Sequence, residues 1–242
     1  MSTPASGRTG GPNPGILAIA STGLFIGSLV SAAALTGGQL YVSPFAGAAE
    51  IARYFAENAF AARVSGTLQF ASAVPFGILT ATLYTRQQRL GVRVPGPSIG
   101  LFGGVAASVL LMISGLLTWV LAHVSVEMAD AAGSPSTAAA LALLAFATGG
   151  VGFVVGAGLL VASVAVPGLI LGLIPRWLAW TGLVLAALSE LSFLSLLVEP
   201  LQFLLPIGRF GGLIWLILAG FALPTTRASA RAAREGAKTA AD

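Results

Sequence analysis

The sequence predicts an all-α membrane protein, a polytopic bundle of six transmembrane spans with an amphipathic helix on its outer surface. Apolar residues make up 56% of the 242 residues and charged residues only 8%, against about 25% in a soluble domain. The apolar runs are continuous and long enough to cross a bilayer, and they do not alternate as barrel strands do. A helical bundle can keep this much apolar surface in lipid, whereas a soluble fold of this length could not bury it.

The composition also excludes several kinds of site. The chain holds no cysteine, which rules out disulfides and thiolate metal sites. His123 is the only histidine, and together with Glu127 it supplies too few ligands for a metal or haem site. No metalloprotease, hydrolase, nucleotide-binding or calcium-loop motif occurs. We therefore predict no metal, no cofactor and no enzymatic activity.

The basic residues indicate how the chain crosses the membrane. The sequence pI near 10.3 would also be typical of nucleic-acid binding, but most basic residues lie in short loops or tails beside apolar spans. We therefore predict the lipid bilayer as partner and no nucleic acid. The positive-inside rule places both termini in the cytoplasm. We predict that the protein lies in the inner (plasma) membrane. One side of the six-span arrangement carries Arg86, Arg89, Arg93, Arg176, Arg227, Arg231, Arg234 and Lys238.

The chain divides into a membrane domain and two tails. Residues 1–14 are rich in Gly, Pro and Ser and predict a disordered N-terminal tail. Residues 15–224 form the predicted six-helix membrane domain, and 225–242 form a basic cytoplasmic tail. The first span covers 15–34, and small residues at 32–34 leave a cleaved signal peptide open as an alternative.

An amphipathic helix is predicted at 43–64, between the first and second spans. Ser43 suits an N-cap and Pro44 suits the first helical position. The apolar Ile51 and Phe55 point away from the charged face, so the helix can lie on the outer membrane surface. An ordinary structured loop is the alternative. Spacings of three and four residues put the charged side chains on one face, namely Glu50, Arg53 and Glu57.

The later spans follow from the lengths of the apolar runs. The second covers 65–84, where Pro75 is expected to kink the helix, and the third covers 98–121. The region 137–174 would reach roughly 55 Å as one straight helix, whereas hydrocarbon is about 30 Å thick. Its glycines therefore predict a short outer helix, a Gly-rich break and a fourth span at 151–173, with a tilted, overlong helix as the alternative. The remaining spans are 177–197 and 201–223.

Three polar side chains inside the spans form the candidate site. Glu190 lies in the fifth span, where a carboxylate costs several kcal/mol unless it is paired, protonated or wetted. Arg209 in the sixth span and Gln69 in the second lie at a similar depth, roughly 20 Å from the inner ends of their spans. We predict a shared polar cluster in the outer half of the bundle. It is either a buried ligand, ion or proton site, or a Glu190–Arg209 ion pair that fixes helix register.

Several segments resemble a family of uncharacterised bacterial multi-pass membrane proteins common in actinobacteria. They are AVPFGILTATLY, LFGGVAAS, LAFATGG, VAVPGLILGLIPRWLAWTGLVLAALSELS and LLPIGRFGGLIWLILAGFALP. The resemblance covers about 56–224 and implies a six-helix membrane fold without an assigned activity. Glu190 and Arg209 fall within the matching segments.

The sequence favours a non-enzymatic membrane protein that binds a small or lipidic ligand, or a protein partner, at the polar cluster. A secondary transporter that uses Glu190 as its coupling acid is the alternative. An intramembrane enzyme is a third class, but no nucleophile and base are found together.

Overall fold

The computed structural model describes residues 11–39, 41–127 and 134–226. Throughout these ranges the chain forms helices joined by turns, without a strand, so the predicted all-α class is confirmed. The predicted tails fall mainly on 1–10 and 227–242, outside the described residues. The helices are α1 (Pro14–Leu35), α2 (Ala48–Glu57), α3 (Ala59–Arg89), α4 (Gly96–Glu127), α5 (Ser134–Phe146), α6 (Phe153–Ile170), α7 (Arg176–Leu191), α8 (Leu204–Pro206) and α9 (Gly212–Ala222).

The described part of the chain holds six helical stretches that are long and apolar enough to cross a membrane. This matches the predicted number of spans and makes the protein a multi-pass membrane protein. Each stretch exceeds the roughly 20 residues that hydrocarbon thickness requires, or comes close to it. The stretches are Pro14–Leu35, Ala59–Arg89, Gly96–Glu127, Pro135–Ile170, Arg176–Leu196 and Glu199–Ala222.

Two π-helical segments interrupt the α-helices, and the first replaces the predicted Gly-rich break. The first π segment (Ala147–Gly152) joins α5 to α6, so that the chain stays helical from one to the other. The second π segment (Ile207–Gly211) lies between α8 and α9. Glycines tolerate the altered backbone and the close contacts of such segments. The observed structure is therefore closer to the predicted alternative, one overlong helix, than to a short outer helix followed by a break.

The predicted outer helix was too long at both ends. The Ser43 hydroxyl accepts a hydrogen bond from the Phe45 amide at 3.2 Å and so caps a turn, and α2 begins only after Gly47. At Asn58 the helical dihedrals are interrupted, and the residues that follow already belong to α3. The predicted faces are confirmed, because the charged side chains of α2 are exposed whereas Ile51 and Phe55 are buried.

Prolines within the spans do not end the helices. α3 runs for 31 residues through Pro75, and α6 continues through Pro167. Consecutive spans cross in opposite directions, which gives the bundle two different ends. We call the end with Arg86, Arg93 and Arg176 the basic end, and the end with α2 and Glu199 the distal end. At the basic end, Arg86 donates a hydrogen bond to the Leu223 carbonyl at 3.3 Å.

Helix α4 packs against two neighbours through backbone contacts between glycines. A Cβ on Gly115 would lie 2.7 Å from the Gly66 carbonyl oxygen of α3. On another face of α4, a Cβ on Gly103 would lie 2.7 Å from the Gly156 oxygen of α6. These contacts bring three helices close together in the centre of the bundle. The contact between Gly66 and Gly115 lies next to Ser65 and Ser114, whose side chains belong to the candidate site.

Candidate functional site

A cavity of about 360 Å³ lies among α1, α2, α3, α4 and α5, and both π segments contribute to its wall. Most of its lining is apolar, with side chains such as Phe25, Leu121 and Phe146. This combination of a largely apolar wall and a few polar groups is typical of ligand sites. The polar and charged side chains of the lining are Tyr41, Ser65, Gln69, Ser114, Thr118 and Arg209.

Arg209 places a guanidinium in this apolar wall. Its Cζ atom lies 4.8 Å from the ring centroid of Phe25 and 4.9 Å from that of Phe153. Both distances are within the range of cation–π attraction. Nevertheless, Nη2 of Arg209 is buried and has no hydrogen-bond partner within the described residues. The rings stabilise the charge but leave guanidinium N–H donors unused.

Glycines explain how Arg209 reaches this position. In the second π segment, a Cβ on Gly208 would lie 2.7 Å from the Ser189 hydroxyl of α7 and 2.7 Å from a methyl group of Val154 in α6. A Cβ on Gly211 would lie 2.7 Å from Leu185 of α7. Only a glycine backbone fits this closely against both helices. The segment that carries Arg209 is therefore held tightly on the side away from the cavity.

Gln69 lies in the same cavity and joins three helices by hydrogen bonds. Its Nε2 donates to the Ser114 hydroxyl at 2.9 Å, and that hydroxyl donates to the Ala145 carbonyl at 2.8 Å. Gly149 of the first π segment packs directly against Ser114 and Gln69. Gln69 thus links α3, α4 and α5 at the cavity wall.

Glu190, by contrast, does not line the cavity. Its Oε1 atom lies 2.9 Å from the position of a Cβ on Gly158 of α6, and it is buried without a hydrogen-bond partner among the described residues. Within those residues, no hydrogen bond or ion pair joins Glu190 to Arg209. The expected ion pair is therefore not formed. Ser189 and Gly208, the chain neighbours of the two residues, pack against each other where α7 meets the second π segment.

A polar cleft of about 310 Å³ adjoins the cavity at the distal end. It includes the exposed face of α2, and Tyr41 and Val42 belong to both its wall and that of the cavity. Desolvation, together with the nearby Tyr54, raises the pKa of Tyr41, while the side chain of Thr118 acts in the opposite direction. The other residues of the cleft are Ser43, Glu50, Arg53, Tyr54 and Glu57.

The sequence did not identify the aromatic partners of Arg209 or the position of Tyr41. Phe25 and Phe153 are far from Arg209 in the chain, and nothing in their spacing predicts a shared site. His123 stacks on Trp119 with ring centroids 3.9 Å apart. The described ranges contain no group of three or more side chains that could hold a metal ion.

Fold and cavity together define a multi-pass α-helical membrane protein with an arginine in the wall of a largely apolar cavity. The chain matches no family model, no curated protein and no solved structure. The resemblance to an uncharacterised bacterial family accordingly stays a prediction.

Proposed function

We propose that this protein binds a small or lipid-like anionic ligand in the cavity, with Arg209 as the countercharge. The observation that carries the proposal is the buried Nη2 of Arg209, which has no partner among the described residues. A buried charged group is costly unless its hydrogen bonds are made. An anion bound beside the guanidinium would compensate its charge and accept hydrogen bonds from it.

The other groups in the cavity support binding rather than catalysis. Besides Arg209, the polar lining consists of an amide and several hydroxyl groups, and the lining within the described chain includes no carboxylate or imidazole. Such groups can orient a ligand but supply no general base near neutral pH. We therefore propose a binding function rather than a catalytic one.

The position of Glu190 favours binding over proton-coupled transport. A coupling acid has to sense whether the substrate site is occupied, but Glu190 faces Gly158 and is not among the residues that line the cavity. Ligand binding through Arg209 needs no contribution from Glu190. This difference favours the binding role. A plasma-membrane location and cytoplasmic termini are further parts of the proposal.

The test is equilibrium binding of a fluorescent fatty acid to the protein in nanodiscs of zwitterionic lipid, corrected for empty nanodiscs. Arg209→Gln should weaken binding by about tenfold or more, because a charge-assisted hydrogen bond contributes about 1.5–3 kcal/mol. The matched control is Arg176→Gln, since Arg176 is exposed at the basic end and should not affect binding.

A second pair of variants tests the cavity without changing its charge. Ala142 lines the cavity from α5, whereas Ala140 of the same helix is exposed. Ala142→Phe should fill the cavity and reduce binding, and Ala140→Phe should leave it unchanged. If both Arg209→Gln and Ala142→Phe bind the probe as well as the unchanged protein does, the proposed function is wrong.

A further inference from the structure

We infer that the ligand is a single-chain carboxylate amphiphile of the fatty-acid type, bound with its carboxylate at Arg209 and its chain along the apolar wall. This inference rests on the proposed function and specifies the ligand of the same site. It depends on the charge and the size of the cavity, and the surroundings of the guanidinium are compatible with it.

The charge of the cavity matches a head group with one negative charge. Arg209 is the one cationic side chain among the cavity-lining residues that the structure describes. A carboxylate carries one charge and is neutralised by one guanidinium. A phosphate monoester carries about 1.5 to 2 negative charges at neutral pH, and part of that charge would remain uncompensated in an apolar site.

The surroundings of the guanidinium are compatible with a carboxylate head group. Phe25 and Phe153 occupy two of its sides, with Cζ 4.8 and 4.9 Å from their ring centroids. Arg209 is among the residues that line the cavity, so a ligand in the cavity lies beside its guanidinium. A planar carboxylate can accept two parallel hydrogen bonds from such a fork, as a phosphate also can, so the preference for a carboxylate rests on charge and cavity size.

The size and the wall of the cavity indicate one apolar chain. At about 360 Å³, the cavity lies near the lower end of the roughly 300–1,000 Å³ range of small-molecule sites. A phospholipid with two chains would exceed this volume, whereas one chain fits. A short, water-soluble carboxylate would leave the wall formed by residues such as Leu29, Leu121 and Phe146 without contacts.

The experiment measures displacement of the fluorescent fatty acid by competitors that differ in one feature at a time. Saturated fatty acids of about 8 to about 16 carbons vary the chain, and each added methylene should tighten binding about two- to fourfold until the cavity is full. The alcohol of the same length removes the charge, and should bind at least about tenfold more weakly than the acid. An alkyl phosphate of that length changes the head group, and a phosphatidic acid also adds a second chain. Both should displace the probe less well than the fatty acid does.

Variants connect these preferences to Arg209. In Arg209→Gln, the acid should lose its advantage over the alcohol while the dependence on chain length persists. Arg209→Lys keeps the charge without the planar fork, so it should retain only part of that advantage. The exposed Arg176→Gln should show the preferences of the unchanged protein.

The outcomes separate this inference from the proposed function. If the alkyl phosphate or the phosphatidic acid competes better than the fatty acid, and does so through Arg209, the proposed function holds and the single-chain carboxylate is wrong. If the acid and the alcohol compete equally in the unchanged protein, the carboxylate inference is also wrong. If no probe binds in a manner that depends on Arg209 or Ala142, both the inference and the proposed function are wrong.

Discussion

Glu190 carries a carboxylate oxygen that is buried against α6 and has no hydrogen-bond partner among the described residues. A buried ion pair broken by removing one partner would destabilise a protein by about 3–5 kcal/mol. Because Glu190 is not paired with Arg209, Glu190→Gln should not cause this loss. Replacing the carboxylate with a neutral amide should leave the midpoint of thermal unfolding unchanged or raise it, since a neutral group costs less to bury.

The measurement is thermal unfolding in nanodiscs, with Glu199→Gln as the control because Glu199 is exposed at the distal end. Both variants should also bind the fatty-acid probe as the unchanged protein does. A large drop in the unfolding midpoint that is specific to Glu190→Gln would contradict the unpaired state. A loss of probe binding would instead connect Glu190 to the cavity and favour the transporter.

For single residues, the sequence predicts which polar side chains lie within the spans and at what depth, but not the direction in which each side chain points. The energetic cost of Glu190, Arg209 and Gln69 in hydrocarbon follows from their chemistry, and depth follows from counting residues along a span. The direction of each side chain depends on its angular position around the helix. The second π segment changes that angle for Arg209, and no periodicity in the sequence predicts where such a segment begins.

At the scale of helices, glycine contacts determine how closely the spans approach. Gly115 of α4 and Gly66 of α3 contact each other through their backbones, whereas Gly23 of α1 has open space where a Cβ would stand. Gly115→Ala should lower the free energy of unfolding by about 1–3 kcal/mol, because its Cβ would meet backbone atoms of Gly66 and Phe70 that cannot move independently. Gly23→Ala should be neutral or slightly stabilising, because alanine favours helix more than glycine does.

Thermal or denaturant unfolding of the two variants, side by side, tests this difference. The pair is matched in chemistry and differs only in what surrounds the added methyl group. Equal effects of the two substitutions would show that the contact between Gly66 and Gly115 does not limit the approach of α3 and α4. A lower free energy of unfolding in Gly115→Ala alone would agree with packing through the glycine backbones.

The π segments mark the limit of prediction for whole elements. The number of spans follows from sequence because hydrocarbon thickness sets the length of each apolar run. The glycines at 149–152 indicated a local departure from regular α-helix, but glycine is compatible with a break, a kink or a π segment. The choice among these depends on tertiary contacts such as that of Gly149 with Ser114, which the local sequence does not contain.

At the scale of the whole molecule, the bundle combines a well-packed centre with a cavity and a polar cleft towards the distal end. Tyr41 and Val42 line both spaces, so they form the partition between them. A ligand that arrives from water at the distal end would have to pass this partition. Tyr41 is 54% exposed as a whole residue, while its side chain forms a hydrogen bond with that of Thr118 in α4.

Because the chain contains no cysteine, a single introduced thiol can report whether this partition controls access. Ser65 lines the cavity, whereas Ser108 of α4 is buried outside it and donates to the Ala73 carbonyl at 2.8 Å. We expect a charged, water-soluble maleimide to label Ser65→Cys slowly in nanodiscs and several-fold faster when Tyr41→Ala is added. Tyr41→Phe retains the ring and should label nearly as slowly as the parent.

The Ser108→Cys background distinguishes an opened partition from a loosened fold. If Tyr41→Ala only destabilised the bundle, the thiols at positions 65 and 108 would both react faster, because local unfolding exposes buried sites throughout a loosened region. An increase confined to position 65, and suppressed by saturating fatty acid, is the result expected if Tyr41 separates the cleft from the cavity. An unchanged rate at position 65 would mean that Tyr41 does not control access to the cavity.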